Sequence, residues 1–365
     1  MKKIRVGVLF GGQSGEHEVS LASAASVLEA LDREKYEAVP IGITRGGQWL
    51  IADSPQDLLR SEVTLELPGT DEAIPDVTHH SIVRVDRRGV GLHDSAVDVV
   101  FPLLHGPLGE DGTVQGLFEL ADIPYVGSGV LGAAVSMDKV MMKAVLAQSG
   151  LPGVPYRLIQ SVAWARDRDE ILGSTMRDLQ TPLFVKPCNL GSSVGISKIH
   201  DVAELASAID VALRYDRRVI VEQGVDAREI ECSVLGNDAP LVSVPGEIRS
   251  HHDWYDYESK YTDGLADLVI PAELEEWQVK TAQEYARRAF QAVDAAGLAR
   301  VDFFVRRDNG QILVNEINTM PGFTSTSMYP KLWEASGVSY PELIDRLIRL
   351  AIDRHDHKKA HREMR

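Results

Sequence analysis

The chain has 365 residues, 44% hydrophobic and 25% charged, a soluble globular composition long enough for two or three domains rather than one core. The 38 Lys and Arg against 54 Asp and Glu give a formal net charge of −16, which disfavours nucleic acid and anionic membrane surfaces as default partners. The two cysteines, Cys188 and Cys232, form no CxxC pattern, and no stretch approaches the ~20 apolar residues of a membrane helix, so a reducing, cytoplasmic setting is expected.

Ile4 to Phe10 reads as a buried strand, broken by Arg5 in a way a signal peptide is not, and it enters the turn Gly11-Gly12-Gln13-Ser14-Gly15-Glu16. From Val19 to Leu31, the residues Leu21, Ala24, Leu28 and Leu31 share one helical face. Tyr36 to Ile43 is a second strand, and Val97 to Leu104 a third, apolar enough to be covered on both faces. This rhythm predicts an open, mainly parallel α/β domain over residues 1–127. Between 53 and 95 the pattern is weak, with one short strand near Ile82–Val85.

A second domain is expected over 128–222. Ser136 would cap a helix from Met137 to Gln148. Strands follow at Pro182–Pro187, Gly195–Ile199 and Val219–Glu222, with a helix over Val202–Leu213 between the last two. A third domain is expected over 223–365, after a hinge at Gln223-Gly224. It holds strands at Ile230–Leu235, Leu241–Val244, Ala299–Val305 and Ile312–Ile317, a helix near Glu273–Ala295, and a last helix from Tyr340. The charged stretch Arg354–Arg365 reads as a frayed, solvated end, since His357 and His361 stand one turn apart with no third ligand in sight.

Three segments carry chemistry. The strongest is Arg300-Val301-Asp302-Phe303-Phe304-Val305, a turn, and Ile312-Leu313-Val314-Asn315-Glu316-Ile317-Asn318. A three-residue loop Asp308-Asn309-Gly310, with Gly310 left-handed, pairs Arg307 with Gln311, Asp302 with Glu316 and Arg300 with Asn318. All four polar side chains then share one face. Two carboxylates and an amide oxygen suit a hard ion such as Mg²⁺ held together with phosphates; the alternative is a solvated hairpin with cross-strand charge pairs.

Lys186-Pro187-Cys188-Asn189-Leu190-Gly191-Ser192-Ser193-Val194-Gly195 sets a lysine before a Gly/Ser loop between strands. Such a loop brings backbone N–H groups to phosphate oxygens, although it is not a Walker A sequence, and an ordinary turn has the same composition. The first turn, Gly11 to Glu18, lacks Gly-x-Gly-x-x-Gly and carries two acids, Glu16 and Glu18. Those acids suit an ammonium or the cap of the following helix better than a pyrophosphate.

Taken together these pieces resemble the D-alanine–D-alanine ligase family of the ATP-grasp superfamily. The resemblance rests on Gly11-Gly12-x-Ser14-x-Glu16-x-Glu18-Val19-Ser20, Leu104-His105-Gly106 with Gly109-Glu110-Asp111-Gly112, and Ser136-Met137-Asp138-Lys139. It continues with Lys186-Pro187, Gly191-Ser192-Ser193-Val194-Gly195, Tyr255-Asp256-Tyr257-Glu258-x-Lys260-Tyr261, Arg300-Val301-Asp302, and Asn315-Glu316-Ile317-Asn318-Thr319-Met320-Pro321-Gly322-Phe323-Thr324. Order and spacing hold from residue 4 to about 350.

The resemblance implies a three-domain ATP-grasp fold of α/β and α+β parts, with ATP between the second and third domains. It implies ligation of two D-alanines through a D-alanyl phosphate, for peptidoglycan precursors. Asp302, Glu316 and Asn318 match ligands for two Mg²⁺ (or Mn²⁺) ions. Lys139 and Lys186 match phosphate clamps, and Gly191 and Ser193 belong to the phosphate lid. Glu222 and Val225 match the adenine hinge, Gln223 a backbone contact there, and Glu229 the ribose contact. Arg300 and the Gly322 N–H match oxyanion donors. Glu16 matches the acid that binds the first D-alanine's ammonium, linked to Ser192 and Tyr261, with His105 and Glu110 in bordering loops. Ser327, Met328 and Lys260 match the site of the second D-alanine's carboxylate. Met320 and Thr326 receive no role.

His251 to Asp263 is a mobile loop by composition and a closing ω-loop lid by resemblance. Tyr257, Lys260 and Tyr261 in it favour D-alanine over D-lactate or D-serine as second substrate, the nearest alternatives. A homodimer is expected, and a monovalent-cation requirement is left open. A nucleotide-dependent oxidoreductase would need the missing Gly-x-Gly-x-x-Gly turn, and a non-catalytic relative would lack some of Arg300, Asp302, Glu316 and Asn318.

Overall fold

The protein is described by a computed structural model over residues 2–51, 83–86, 89–92, 97–191, 194–250 and 266–363. Ser192, Ser193, Tyr257, Lys260, Tyr261 and the whole lid segment 251–263 lie outside the described residues, as does most of 53–95.

Three sheets organise the chain. The first has the order β3-β2-β1-β6, from β1 (Ile4–Gly11), β2 (Tyr36–Ile43), β3 (Trp49–Ile51) and β6 (Val99–Pro102). The strand β1 pairs in parallel with β2 and β6, and the short β3 adds an antiparallel edge. Two further strands, β4 (Val83–Asp86) and β5 (Gly89–Leu92), form a separate hairpin where one short strand was expected near Ile82–Val85.

Alternation along β1 decides what covers each face. Val6, Val8 and Phe10 point to one side, where they meet Ala24, Val27 and Leu28 of α1 (His17–Ala30). Leu9 points to the other, with Val39, Ile41, Val100 and Phe118 of α2 (Thr113–Leu120). The first face is also covered by Leu343, Ile344, Leu347 and Ile348 from the last helix of the chain, Tyr340–Glu363. The end of the sequence therefore seals the core of its beginning.

That helix corrects the expectation of a frayed tail. Arg354 stacks at 4.3 Å on the Tyr125 ring, His355 lies 3.2 Å from Asp122, and Lys358 pairs with Glu119. Three contacts to the segment around α2 hold the helix as far as Lys358; residues 356–361 are exposed, so the end is solvated as expected but helical rather than frayed.

The second unit opens with α3 (Val130–Met137) and α4 (Lys139–Gln148). Ser136 lies inside the first of these, and the cap of the second is Asp138, whose carboxylate accepts from the Val140 and Met141 amides. A carboxylate reaching two open amides is the stronger cap. The sheet order is β7-β10-β8-β9, all antiparallel, from β7 (Tyr156–Gln160), β8 (Leu183–Pro187), β9 (Ser197–Ile199) and β10 (Arg218–Gln223). Helices α5 (Ser161–Arg166), α6 (Arg168–Asp178) and α7 (Leu205–Ala212), the last entered through a 3₁₀ turn at Val202–Glu204, cover one face.

The third sheet runs β14-β13-β11-β15-β16, with β12 (Leu241–Val242) beside β11. Its strands are β11 (Ala227–Gly236), β13 (Gly246–Ser250), β14 (Ala266–Val269), β15 (Gly297–Arg306) and β16 (Ile312–Asn318). Ala282, Ala286, Ala289 and Phe290 of α8 (Glu276–Ala292) close its apolar face on Ile230, Val301 and Phe303. The polar face is left for the cleft.

Candidate active site

A cleft of about 1310 Å³ lies between the second and third sheets and reaches the first turn of the chain. One wall is the β15–β16 hairpin. Gly310 takes φ +72°, as the turn requires, but the loop is one residue longer than expected: the Arg306 amide, not that of Arg307, pairs with Gln311. The register then shifts by one between Asp302 and Phe303, which leaves Asn315 as an extra residue in β16. The bulge restores Asp302 opposite Glu316 and Arg300 opposite Asn318. The two one-residue differences cancel at the site.

All four of those residues line the cleft. The Arg300 guanidinium donates to both Asp302 oxygens at 2.7 Å, a bidentate pair, and stands 3.0 Å from Glu231. Burial disfavours the Arg300 charge, but Asp302 and Glu231 outweigh it and hold its pKa well above the usual arginine value. The Asn318 amide donates to Asp302 at 3.0 Å. Sequence reasoning missed Glu231, buried on β11 directly opposite Asp302. Its signal was the spacing: it stands two residues from Glu229, on the same strand face.

Among the described residues, no group of three or more His, Cys, Asp or Glu side chains could hold a metal ion. The hairpin offers two carboxylates and an amide instead. Turning the Asn318 amide presents oxygen where it now presents N–H, and the donors are then all hard oxygens. That donor set fits Mg²⁺ or Mn²⁺ completed by phosphate oxygens better than a cage of protein ligands alone.

The facing wall is the second sheet. Glu222 on β10 is buried, with Lys186 of β8 at 2.7 Å on one carboxylate oxygen and Lys143 of α4 at 2.9 Å on the other. Burial would raise the Glu222 pKa, but Lys143 and Lys186 outweigh it and bring it down to about 2. Burial likewise opposes the Lys186 charge, and Glu222 overcomes it and raises the Lys186 pKa. Lys139 lies one helical turn before Lys143, and its ammonium donates to the Leu190 carbonyl beside Gly191. Burial lowers the Lys139 pKa, with Glu316 opposing. Lys143, which sequence reasoning also missed, carried the signal of i,i+4 spacing from Lys139.

Gln223, Val225 and Glu229 line the cleft where β10 passes into β11. The Gln223 side chain accepts from the Gln180 amide, and its own amide donates to the Pro155 carbonyl at 2.9 Å. Glu222 turns its carboxylate to the lysines rather than along the hinge.

The third border is Glu16, the N-cap of α1, which makes no side-chain capping bond. A Cβ placed on Gly106 or Gly191 would stand 3.0 or 3.1 Å from its Oε2, so two loops close on this carboxylate. Beside it His105 and Glu110 are packed together. The His105 Nδ1 lies 3.0 Å from the Met320 carbonyl, which assigns the proton to that nitrogen, and Nε2 is 3.5 Å from Ser23. Burial lowers the His105 pKa, against Glu16. Glu110 accepts from the Gly106 amide at 2.7 Å, and burial, reinforced by Glu16, pushes its pKa up to about 8.

Gly322, Ser327 and Met328 complete the rim. Ser327 caps the helix Met328–Ala335, and its hydroxyl accepts from the Thr324 amide at 3.1 Å. A helix start facing the cleft suits a carboxylate.

Thus every described residue singled out in the sequence for this site lines one cleft. The family described as D-ala D-ala ligase N-terminus matches residues 5–128, and that described as D-ala D-ala ligase C-terminus matches residues 145–349. The chain belongs to the D-ala D-ala ligase family. The D-alanine–D-alanine ligase of Natranaerobius thermophilus is 49% identical over 358 residues, 98% of this chain and 97% of that protein. Among solved structures, the D-alanine-D-alanine ligase from Coxiella burnetii matches with a TM-score of 0.85 at 38% identity, covering 100% of this chain and 98% of its own. The VanG D-Ala:D-Ser ligase from Enterococcus faecalis matches with a TM-score of 0.83 at 35% identity, covering 96% and 100%. The three sheets are those of an ATP-grasp ligase of this family.

Proposed function

We propose that the protein joins two D-alanines into D-alanyl-D-alanine, with ATP converted to ADP and phosphate. The observation that carries this reading is the cleft itself: lysines on one wall, carboxylates and an arginine on the other, in a chain of this family. The first D-alanine's carboxylate oxygen attacks the γ-phosphorus of ATP and ADP leaves. The amine of the second D-alanine attacks the resulting acyl carbon and gives up a proton. The tetrahedral adduct then collapses, and inorganic phosphate leaves.

The residues support these steps by their chemistry. Lys139 and Lys186 neutralise phosphate oxygens, and Gly191, with the Ser192 and Ser193 that follow it in sequence, supplies N–H and hydroxyl donors suited to them. Gln223, Val225 and Glu229 form the nucleoside end, which Glu222 joins by its position at the hinge and not by its carboxylate, held by the two lysines. Glu16 receives the first ammonium, bordered by His105 and Glu110 and linked to Ser192 and Tyr261. Ser327, Met328 and Lys260 receive the second carboxylate. Arg300 and the Gly322 N–H meet the oxyanion of the adduct. Asp302, Glu316 and Asn318 would hold two Mg²⁺ or Mn²⁺ ions, which when bound supply positive charge to the transferring phosphoryl group. The same reading divides the chain into domains at 1–127, 128–222 and 223–365, and takes the enzyme as a cytoplasmic homodimer that feeds peptidoglycan synthesis and so maintains cell shape. Among the described residues no helix is long and apolar enough to cross a membrane.

The test is purified protein with ATP, Mg²⁺ and D-alanine, following phosphate release and product mass. D-alanine-dependent release with the dipeptide mass is expected. No such release would overturn the reading, and preference for D-lactate or D-serine at neutral pH would move it to that ligase type.

A further inference from the structure

Lys143 is buried at a junction of three elements. Its ammonium, from α4, lies 2.9 Å from Glu222 of β10, 3.4 Å from the carbonyl of Asn315 at the bulge of β16, and 6.0 Å from the centre of the Tyr156 ring of β7. Lys143 does not line the cleft. Lys186, by contrast, is partly exposed and borders the cleft. Glu222 thus has one partner that faces the ligand and one that does not.

We infer that Lys143 is a positioning residue for nucleotide phosphates, keeping the Glu222 carboxylate neutralised when Lys186 turns from it to a phosphate. The inference rests on the phosphate-binding reading of Lys186 given above. With one carboxylate between two ammonium groups, the cluster carries one positive charge in excess. Remove Lys143, and Glu222 and Lys186 become a neutral pair. Lys186 then has to abandon a buried carboxylate to reach a phosphate, and a buried charge left uncompensated is strongly unfavourable. Lys143 removes that conflict without touching the nucleotide. Its bond to Asn315 also ties the lysine wall to the strand that carries Glu316.

The test compares a non-hydrolysable ATP analogue with adenosine by calorimetry, in the presence of Mg²⁺. Lys143→Met is expected to weaken analogue binding by roughly tenfold to a hundredfold, the scale on which partners of ligand-binding groups act. Adenosine, which has no phosphate, should bind as to the wild type. Lys143→Arg keeps the charge and should restore most of the analogue affinity. Unchanged analogue binding, equal loss for both ligands, or a folded Lys143→Arg as weak as Lys143→Met would each overturn the inference. If Lys143→Met does not fold, Lys143→Gln keeps a donor to Glu222 without the charge, and wild-type analogue affinity in it would overturn the inference equally. A wild-type protein that binds no analogue at all would instead refute the phosphate reading beneath it.

Discussion

On the β10 wall of the cleft one carboxylate, Glu222, is shared by two lysines; on the β15 wall one guanidinium, Arg300, is shared by two carboxylates, Glu231 and Asp302. The walls are opposite in sign and alike in construction. Each holds a wholly or partly buried charge that alone would cost several kcal/mol, and each gives it two partners: on the β10 wall Lys186 borders the cleft and Lys143 does not, whereas on the β15 wall both Asp302 and Glu231 border it. On the proposed reading, a triphosphate bound with metal ions would claim Lys186 from the first group and Asp302 from the second. Lys143 would remain with Glu222, and Glu231 with Arg300, so that neither would be left unpaired. Opposed charge separated in advance is what a polyanion bound with cations needs, because little has to reorganise when it binds.

The comparison breaks most severely at Glu316. Glu316→Gln removes one of the two carboxylates of the hairpin's donor set while keeping its volume, and turnover is expected to fall by about 10³ or more, the scale of charge stabilisation in phosphoryl transfer. The fold should survive, since Glu316 is only partly buried and the core of that sheet lies on its other face. Steady-state phosphate release together with thermal melting would check both halves. Near wild-type turnover would mean that the hairpin is not the metal site.

A smaller effect sharpens the parallel. Glu231→Gln is to Arg300 what Lys143→Met is to Glu222: it removes the second partner, here one that itself lines the cleft. Asp302 still holds the guanidinium through two bonds at 2.7 Å, so Arg300 remains folded in place before ligand binds. The loss should show as a fall in kcat of about tenfold, with KM for ATP changed much less. A fall in ATP affinity with kcat intact would assign Glu231 to the nucleotide instead.

Much of this was legible in the sequence, and the reasons differ by element. Arg300, Asp302, Glu316 and Asn318 could be placed on one face because strand alternation is local and strict. The bulge at Asn315 was not legible, since nothing in the local sequence distinguishes an extra paired residue from an inserted one. The register was right at the site because a longer turn and a bulge offset each other. The helix Arg168–Asp178 was missed because its packing face is short: Ile171, Leu172 and Met176 are only partly buried, and Thr175 alone is fully buried. Asp138 displaced Ser136 as a cap because helix α3 runs through Ser136 and turns out at Asp138, a boundary set by packing between two helices. Lys143 and Glu231 carried the right spacing, but what they do depends on strands far away in the chain, and spacing alone cannot supply those neighbours.

Glu110 offers the opposite case, an acid near the hairpin wall that Arg300 does not neutralise. Its carboxylate receives the Gly106 amide and stands 3.9 Å from the His105 ring, whose own charge burial disfavours. Burial is the main cause that lifts its pKa to about 8 from an ordinary 4.5, Glu16 and Glu316 add to the rise, and Gly106 and Arg300 oppose it. The sign of the consequence follows. Below pH 4.5 the carboxyl is protonated in both folded and unfolded chains and contributes nothing. Between 4.5 and 8 the unfolded chain releases the proton and the folded one keeps it, so stability falls as pH rises, and above 8 the loss is complete. Glu110→Gln cannot ionise and escapes this. Its melting temperature should match the wild type near pH 4.5 and exceed it by a margin that widens up to pH 8 and then levels. A margin that narrows with rising pH would mean that Glu110 is ionised in the folded protein, paired with a cation on one of the two walls, and that the charge separation between them is less complete than the geometry implies.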